Sequence, residues 1–249
     1  MSLEQLRPRL ISGDGNRGKA VVKTVAILQS NYVPWKGYFD LIAAVDEFVI
    51  YDEVQFTKND WRNRNQIKTP QGVQWLSIPV GADIQRRICE VELPVGAWAE
   101  KHWKTLATNY GRAPFFDDIA GWLKPLYLER RYQRLSELNV VFIKAICGYL
   151  GIGTKISNSS DFEHTPGKTG RLVGLCRQAG AGRYISGPAA KAYLDESEFS
   201  AAGISVEWFD YAGYPAYPQL WGKFEHAVSI LDLLFNCGAT SSQYMRYVK

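Results

Sequence analysis

A chain of 249 residues with 46% hydrophobic and 22% charged residues has the make-up of a globular protein with a substantial buried core, which excludes a disordered or fibrous chain. A net charge of +4 without long runs of one sign is a weak case for a nucleic-acid partner, and no apolar stretch is long enough for a membrane span. Four dispersed cysteines (Cys89, Cys147, Cys176, Cys237) with no C-x-x-C pair read as reduced core thiols of a cytoplasmic protein without a signal peptide. Three histidines without metal spacing leave no metal site in the expectation.

Residues 1–22 are Gly- and Arg-bearing and aperiodic, so they read as a loose extension before a single α/β domain over 23–249. The domain opens with two apolar runs of strand type, VAIL (25–28) and EFVIY (47–51), separated by a short amphipathic helix over 36–45. This is a βαβ unit whose strands both end in polar residues. QIKT and VQWLSIPV flank Pro70–Gln71–Gly72, a turn between two hairpin strands. RRICEVELP (86–94) alternates in part and reads as strand.

From Trp98 the period changes to that of helices. The 98–151 region forms a helical layer: one helix ends at Gly111, a second follows Pro114 with an interruption at Pro125, and the third is strongly amphipathic. Ser136 and Asn139 offer N-cap oxygens to the third. A strand then leads into the polar turn 157–161, and a short helix spans 170–180. A second α/β unit follows: strand RYIS, a helix over 189–195 and strand ISVEWF. A proline-stiffened aromatic stretch, YPAYPQLW (214–221), precedes a last apolar helix. The fold class is α/β, Rossmann-like, with a mostly parallel sheet and a helical insertion or layer.

The candidate site residues cluster where strands end. After the first strand come Gln29, Asn31, Tyr32, Trp35 and Tyr38. Pro34 stiffens the exit there and Gly37 permits close backbone approach at a helix start. After the second strand come Asp52 and Gln55, then Lys58, Asn59, Trp61, Asn63, Arg64 and Asn65. A carboxylate at a strand end can orient an amine or act as a base, and an arginine can fork onto phosphate. His102 is the histidine flanked by aromatics and is a proton carrier if its helix covers the crevice. Ser186 ends a later strand in Ser-Gly-Pro but lacks the G-x-S-x-G context of a hydrolase nucleophile. Tyr217 and Gln219 lie on the aromatic wall of the tail.

QSNYVPWKGYFDLI (29–42), DEFVIYDEVQF (46–56), WRNRNQI (61–67), GVQWLSIPV (72–80), NYGRAPFF (109–116), GRYISGPAAKAYLD (182–195) and YPAYPQLWGKFEHAVSILDLLFNCG (214–238) together resemble the WbqC-like protein family, over about residues 24–245. The resemblance implies a bacterial enzyme of surface-glycan (O-antigen or lipopolysaccharide) biosynthesis. Such an enzyme would transfer an acyl or aminoacyl group to the amine of a nucleotide-linked amino sugar. It implies no tightly bound cofactor, and a CoA or acyl-carrier-protein thioester as co-substrate. The resemblance carries over no catalytic residue; for that reaction the residues themselves suggest Asp52 or His102 to take the amine proton, Asn31, Gln55, Asn63 and Asn65 to bind sugar hydroxyls, and Arg64 or Lys58 to meet the diphosphate.

A more distant likeness is to nucleotidyltransferase-like α/β folds that carry an H-x-G-H motif. Their two histidine positions are Trp35 and Tyr38 here, with Gly37 retained, which implies the fold and not the ATP chemistry. An ATP-dependent ligase and a non-catalytic glycan-pathway binding protein are the alternatives.

Overall fold

The computed structural model describes residues 22–249, so the expected N-terminal extension lies outside the described residues apart from Val22. Five strands form one parallel sheet: β1 (Thr24–Leu28), β2 (Glu47–Ile50), β5 (Lys155–Asn158), β6 (Arg183–Ser186) and β7 (Ser205–Trp208). Their order is β5-β2-β1-β6-β7, with Val25 opposite Glu47 and Tyr184 in register. The chain winds outward from β1 in both directions, the doubly wound arrangement that places ligands beyond the carboxyl ends of the strands.

The strands are near-continuous apolar runs because both faces of the sheet are covered. Ala26, Phe48, Ile50 and Ile185 face one core with α1 (Lys36–Ala43), α4 (Leu135–Tyr149) and α7 (Ile230–Cys237). Val25, Ile27, Val49 and Tyr184 face the other, under α5 (Lys168–Gln178) and Phe199 of α6 (Glu196–Ala201). Each fully buried Val, Ile or Phe contributes about 1.5–3 kcal/mol. At the start of β2, Glu47 is fully buried, yet it meets Lys23 at 2.7 Å and Lys155 at 3.0 Å and accepts from Ser157 Oγ.

The predicted hairpin is present as β3 (Arg64–Thr69) and β4 (Gly72–Ser77), turning at Pro70–Gln71. Asn65, Ile67 and Leu76 point inward and are buried, while Val73 and Trp75 of β4 stand outward. The helical layer is α2 (Trp98–Tyr110), α3 (Phe116–Leu128) and α4.

Four local expectations are corrected. RRICEVELP is not a strand: Ile88–Glu90 is a 3-10 turn, and the segment clings to 52–56 by Phe56 N–H to Arg86 O and Ile88 N–H to Val54 O. Pro125 does not interrupt α3, which runs through it to Leu128. Ser136 and Asn139 do not cap α4, whose N-cap is Arg134; both lie inside the helix and turn toward the β1 and β2 ends. The helix expected over 189–195 is a 3-10 turn, Pro188–Ala192, and α6 starts one residue after Asp195, whose carboxylate caps it. Cys147, Cys176 and Cys237 are buried and Cys89 is half-buried, all as free thiols; burial pushes Cys147 and Cys176 up to about 12.

Candidate functional site

The exit of β1, residues 29–35, is held from four directions. Asp52, at the end of β2, accepts the Ser30 backbone N–H at 2.8 Å and the Ser30 hydroxyl at 2.6 Å, and the Ser136 hydroxyl of α4 also donates to it. Asn139 of α4 donates to Ser30 Oγ at 3.2 Å and to the Arg62 carbonyl at 2.9 Å. Arg62 donates to Asn31 Oδ1 at 2.5 Å and to Gln29 Oε1 at 3.3 Å. Asn65 of β3 donates to the carbonyls of Tyr32 (3.1 Å) and Val33 (3.0 Å).

Val33 adopts φ 37°, a left-handed conformation that is costly for a β-branched residue, of order 1–3 kcal/mol. It is maintained because its carbonyl accepts from both Asn65 and the Ser229 hydroxyl at 2.7 Å. Ser229 also caps α7, and the Ile230 N–H donates to the Pro34 carbonyl, so the tail of the chain is tied onto the β1 exit.

Beside this loop lies a pocket of about 300 Å³ lined by Asn31, Pro34, Trp35, Trp61, Asn65, His226 and Ala227. Two indoles and a proline offer flat apolar faces, and two amides and an imidazole offer polar edges. That mixture suits a ring carrying hydroxyl or amide groups. Trp35 is wedged against Tyr211 and Tyr214, with ring centroids 5.5 and 5.6 Å away. Gly37 is needed beneath it, because a Cβ there would run into the Trp35 indole. Trp35 is also the N-cap of α1 and supplies no capping oxygen, so the first turn of that helix begins uncapped at the pocket wall.

Four predicted site residues therefore meet at one pocket: Asn31, Trp35, Trp61 and Asn65. Others support it from behind. Gln29 is a partner of Arg62, and the Tyr38 hydroxyl donates to the Gln29 carbonyl from the core. Asp52 is buried, and its carboxylate is engaged by the two serines rather than lining the pocket.

His102 lies outside the pocket as well. It borders a separate depression between Pro79, Pro94 and Lys101. Its Nε2 faces the Ser77 carbonyl at 3.2 Å, which can only accept, so Nε2 carries the proton and Nδ1 accepts from the Tyr32 hydroxyl at 2.8 Å. Tyr127 in turn donates to Tyr32 at 2.5 Å. Burial lowers His102 to about 4, against a smaller opposing effect of the Ser77 bond, so the ring stays neutral.

The remaining predicted residues are elsewhere. Gln55 bonds the Ile84 carbonyl and Lys58 is exposed. Asn59 turns the chain at φ 59° and receives the Arg64 guanidinium on its carbonyl. Asn63 donates to the Ile78 carbonyl, and Ser186 is buried and accepts from Tyr184. Tyr217 and Gln219 donate to the buried Asp232 at 2.9 and 2.8 Å, beside Tyr110 at 2.8 Å. Burial raises the Asp232 carboxyl, which these donors only partly offset.

His226 and Ala227 are the pocket residues that the sequence reading passed over. The exposed His226 ring packs edge-on against Phe224 at 4.5 Å and faces the pocket. Among the described residues, no group of three or more His, Cys, Asp or Glu is disposed to hold a metal ion, and no helix is long and apolar enough to cross a membrane.

Comparison with known proteins points one way. The uncharacterized protein Rv1507c of Mycobacterium tuberculosis (strain ATCC 25618 / H37Rv) is 55% identical over 230 residues, 92% of this chain and the whole of that protein. No solved structure matches. The model of the WbqC-like protein family matches residues 29–244, which include every residue of the pocket, and the chain belongs to that family.

Proposed function

We propose that the protein transfers an acyl or aminoacyl group from a thioester to the amine of a nucleotide-linked amino sugar, within surface-glycan biosynthesis. The observation that carries this reading is the pocket itself. Trp35 and Trp61 give stacking faces for a sugar ring, while Asn31 and Asn65 give amide edges at the carboxyl end of a parallel sheet. Family membership supports the glycan context.

In the step, the sugar amine attacks the thioester carbonyl. The N–C bond forms, the C–S bond breaks, the amine gives up a proton, and the thiolate of CoA or acyl-carrier protein leaves and is protonated. His226 is the titratable side chain on the pocket wall and takes the amine proton. Asp52, holding Ser30, and His102, held by Tyr32, act as positioning residues for the loop that carries Asn31 and Trp35.

The test is to incubate the purified protein with UDP- and dTDP-linked amino sugars and acyl-CoA or acyl-carrier-protein donors, and to follow amide formation by mass spectrometry. The expected result is a mass gain of one acyl group. Turnover should fall about 10²–10⁴-fold in His226→Gln and binding should be lost in Trp35→Ala. Tight sugar-nucleotide binding without transfer from any donor would assign the protein to a binding role. Product that requires ATP, with release of AMP, would make it a ligase.

A further inference from the structure

The outward face of the β3–β4 hairpin carries an aromatic platform that continues the pocket wall. Trp75 on β4 is 39% exposed and Trp61 is 43% exposed, with ring centroids 5.5 Å apart. The Arg64 guanidinium lies over the Trp75 ring at 4.2 Å, and its Nη2 is anchored on the Asn59 carbonyl. Soluble proteins seldom leave two tryptophans together on a hairpin face unless something covers them. Trp61 belongs both to this platform and to the pocket, so a ligand seated in the pocket has the platform as its next surface.

We infer that the Trp61–Trp75–Arg64 platform is a nucleobase subsite. It would hold the base of a nucleotide diphosphate whose attached group occupies the pocket, an inference that rests on the sugar-nucleotide reading above. A base offers a π-face to Trp75, with Arg64 supplying a stacked cation of the sign that a diphosphate requires. Stacking is tolerant of base identity, so the platform selects nucleotides as a class, and the pocket selects the group they carry.

The experiment measures UDP and ADP binding to the full-length protein by calorimetry, in wild type, Trp75→Ala and Trp75→Phe. The expected result is binding of both nucleotides by wild type, roughly 5- to 100-fold weaker in Trp75→Ala and largely retained in Trp75→Phe. Folding of each variant is verified by an unchanged melting transition, as expected for an outward-facing side chain. Equal affinities in wild type and Trp75→Ala, or no nucleotide binding by wild type at millimolar concentration, overturn the inference. A concentration-dependent dimer in sedimentation that Trp75→Ala dissolves would assign the face to a second copy and overturn it too. Acyl transfer is assayed separately. Transfer with no Trp75 dependence of KM refutes the subsite and leaves the proposed activity standing, whereas Trp75-dependent nucleotide binding without transfer does the reverse.

Discussion

Asp52 separates two ways of reading this site, because a strand-end carboxylate can serve as a base or as a clamp. Its two oxygens accept the Ser30 N–H, the Ser30 hydroxyl and the Ser136 hydroxyl, and the side chain is nearly inaccessible. Truncation in Asp52→Ala leaves two buried donors and the half-buried Ser136 hydroxyl without their acceptor. A buried donor left unmatched costs about 1–3 kcal/mol. The two hydroxyls can rotate toward other acceptors and the backbone N–H cannot, so the total is about 3–5 kcal/mol. For a domain of this size about 2–4 °C of melting temperature accompanies each kcal/mol, which gives a drop of roughly 6–20 °C.

Asp52→Asn is the sharper variant. Its carbonyl oxygen still accepts the Ser30 N–H, and its amide can donate to a serine oxygen, so the cost is about 1–2 kcal/mol. As a clamp, Asp52→Asn retains most turnover and most stability, while Asp52→Ala loses both together. The assay is urea unfolding of both variants alongside initial rates with saturating substrates. If Asp52→Ala unfolds within about 1 kcal/mol of wild type while Asp52→Asn loses turnover a hundredfold or more, the clamp reasoning fails and Asp52 is the base.

Three further outcomes follow from the geometry. Gly37→Ala pushes the Trp35 indole off Tyr211 and Tyr214; sugar-nucleotide affinity should fall at least about tenfold with a shifted tryptophan emission, and unchanged affinity and emission would refute the wedge. His102 is held at about 4 against an ordinary 6.5, so between those values the unfolded chain binds a proton that the native chain does not. Stability should therefore decline as pH falls from 6.5 to 4, by about 3 kcal/mol at the lower limit, and His102→Gln should flatten that slope in pH-dependent urea titrations. For Glu47, burial acts to raise the carboxyl, but bonds from Lys23, Ser157 and Lys155 outweigh it and hold it at about 2 against 4.5. Its contribution is present above pH 4.5 and is lost as pH falls toward 2; a Glu47→Gln protein with an undiminished slope in that window would show that these partners do not set it.

The sheet was legible in the sequence because a strand buried on both faces is a bare apolar run, and VAIL and EFVI are such runs. The hairpin was legible from its turn residues, Pro70–Gln71–Gly72 between two strand-like runs. The first wall of the pocket was legible from its place between strands: Asn31 follows the end of β1, Trp35 opens α1, Trp61 shortly precedes β3 and Asn65 lies at the start of β3. His226 was not, because nothing local marks it. It reaches the pocket only because Ser229 and Ile230 bond to Val33 and Pro34, almost two hundred residues earlier in the chain. RRICEVELP was misread because its partial alternation is real, but it serves isolated bridges, Arg87 to Gln55 and Glu92 to Arg134, instead of a ladder. Tyr217 and Gln219 were misplaced because their partner, Asp232, is a buried carboxylate on a helix that reads as wholly apolar.

That division has a consequence for how substitutions at this site should be interpreted. The β1 exit is bound by Asp52, Arg62, Asn65, Asn139 and Ser229, from four separate stretches of chain, and it carries a strained Val33. A loop so fixed presents Asn31 and Trp35 in one geometry before any ligand arrives, which lowers the entropy cost of binding. Residues that grip the loop should alter stability and affinity together. Side chains that face the pocket without gripping the loop, those of His226 and of Trp61 (whose hold on the loop is a backbone bond from the Tyr32 N–H to its carbonyl), should alter affinity or turnover alone. Asn65 does both, since it lines the pocket and holds two carbonyls, and so does Asn31, which lines the pocket and accepts from Arg62, so at these two positions a binding defect cannot be assigned to contact until stability has been measured beside it.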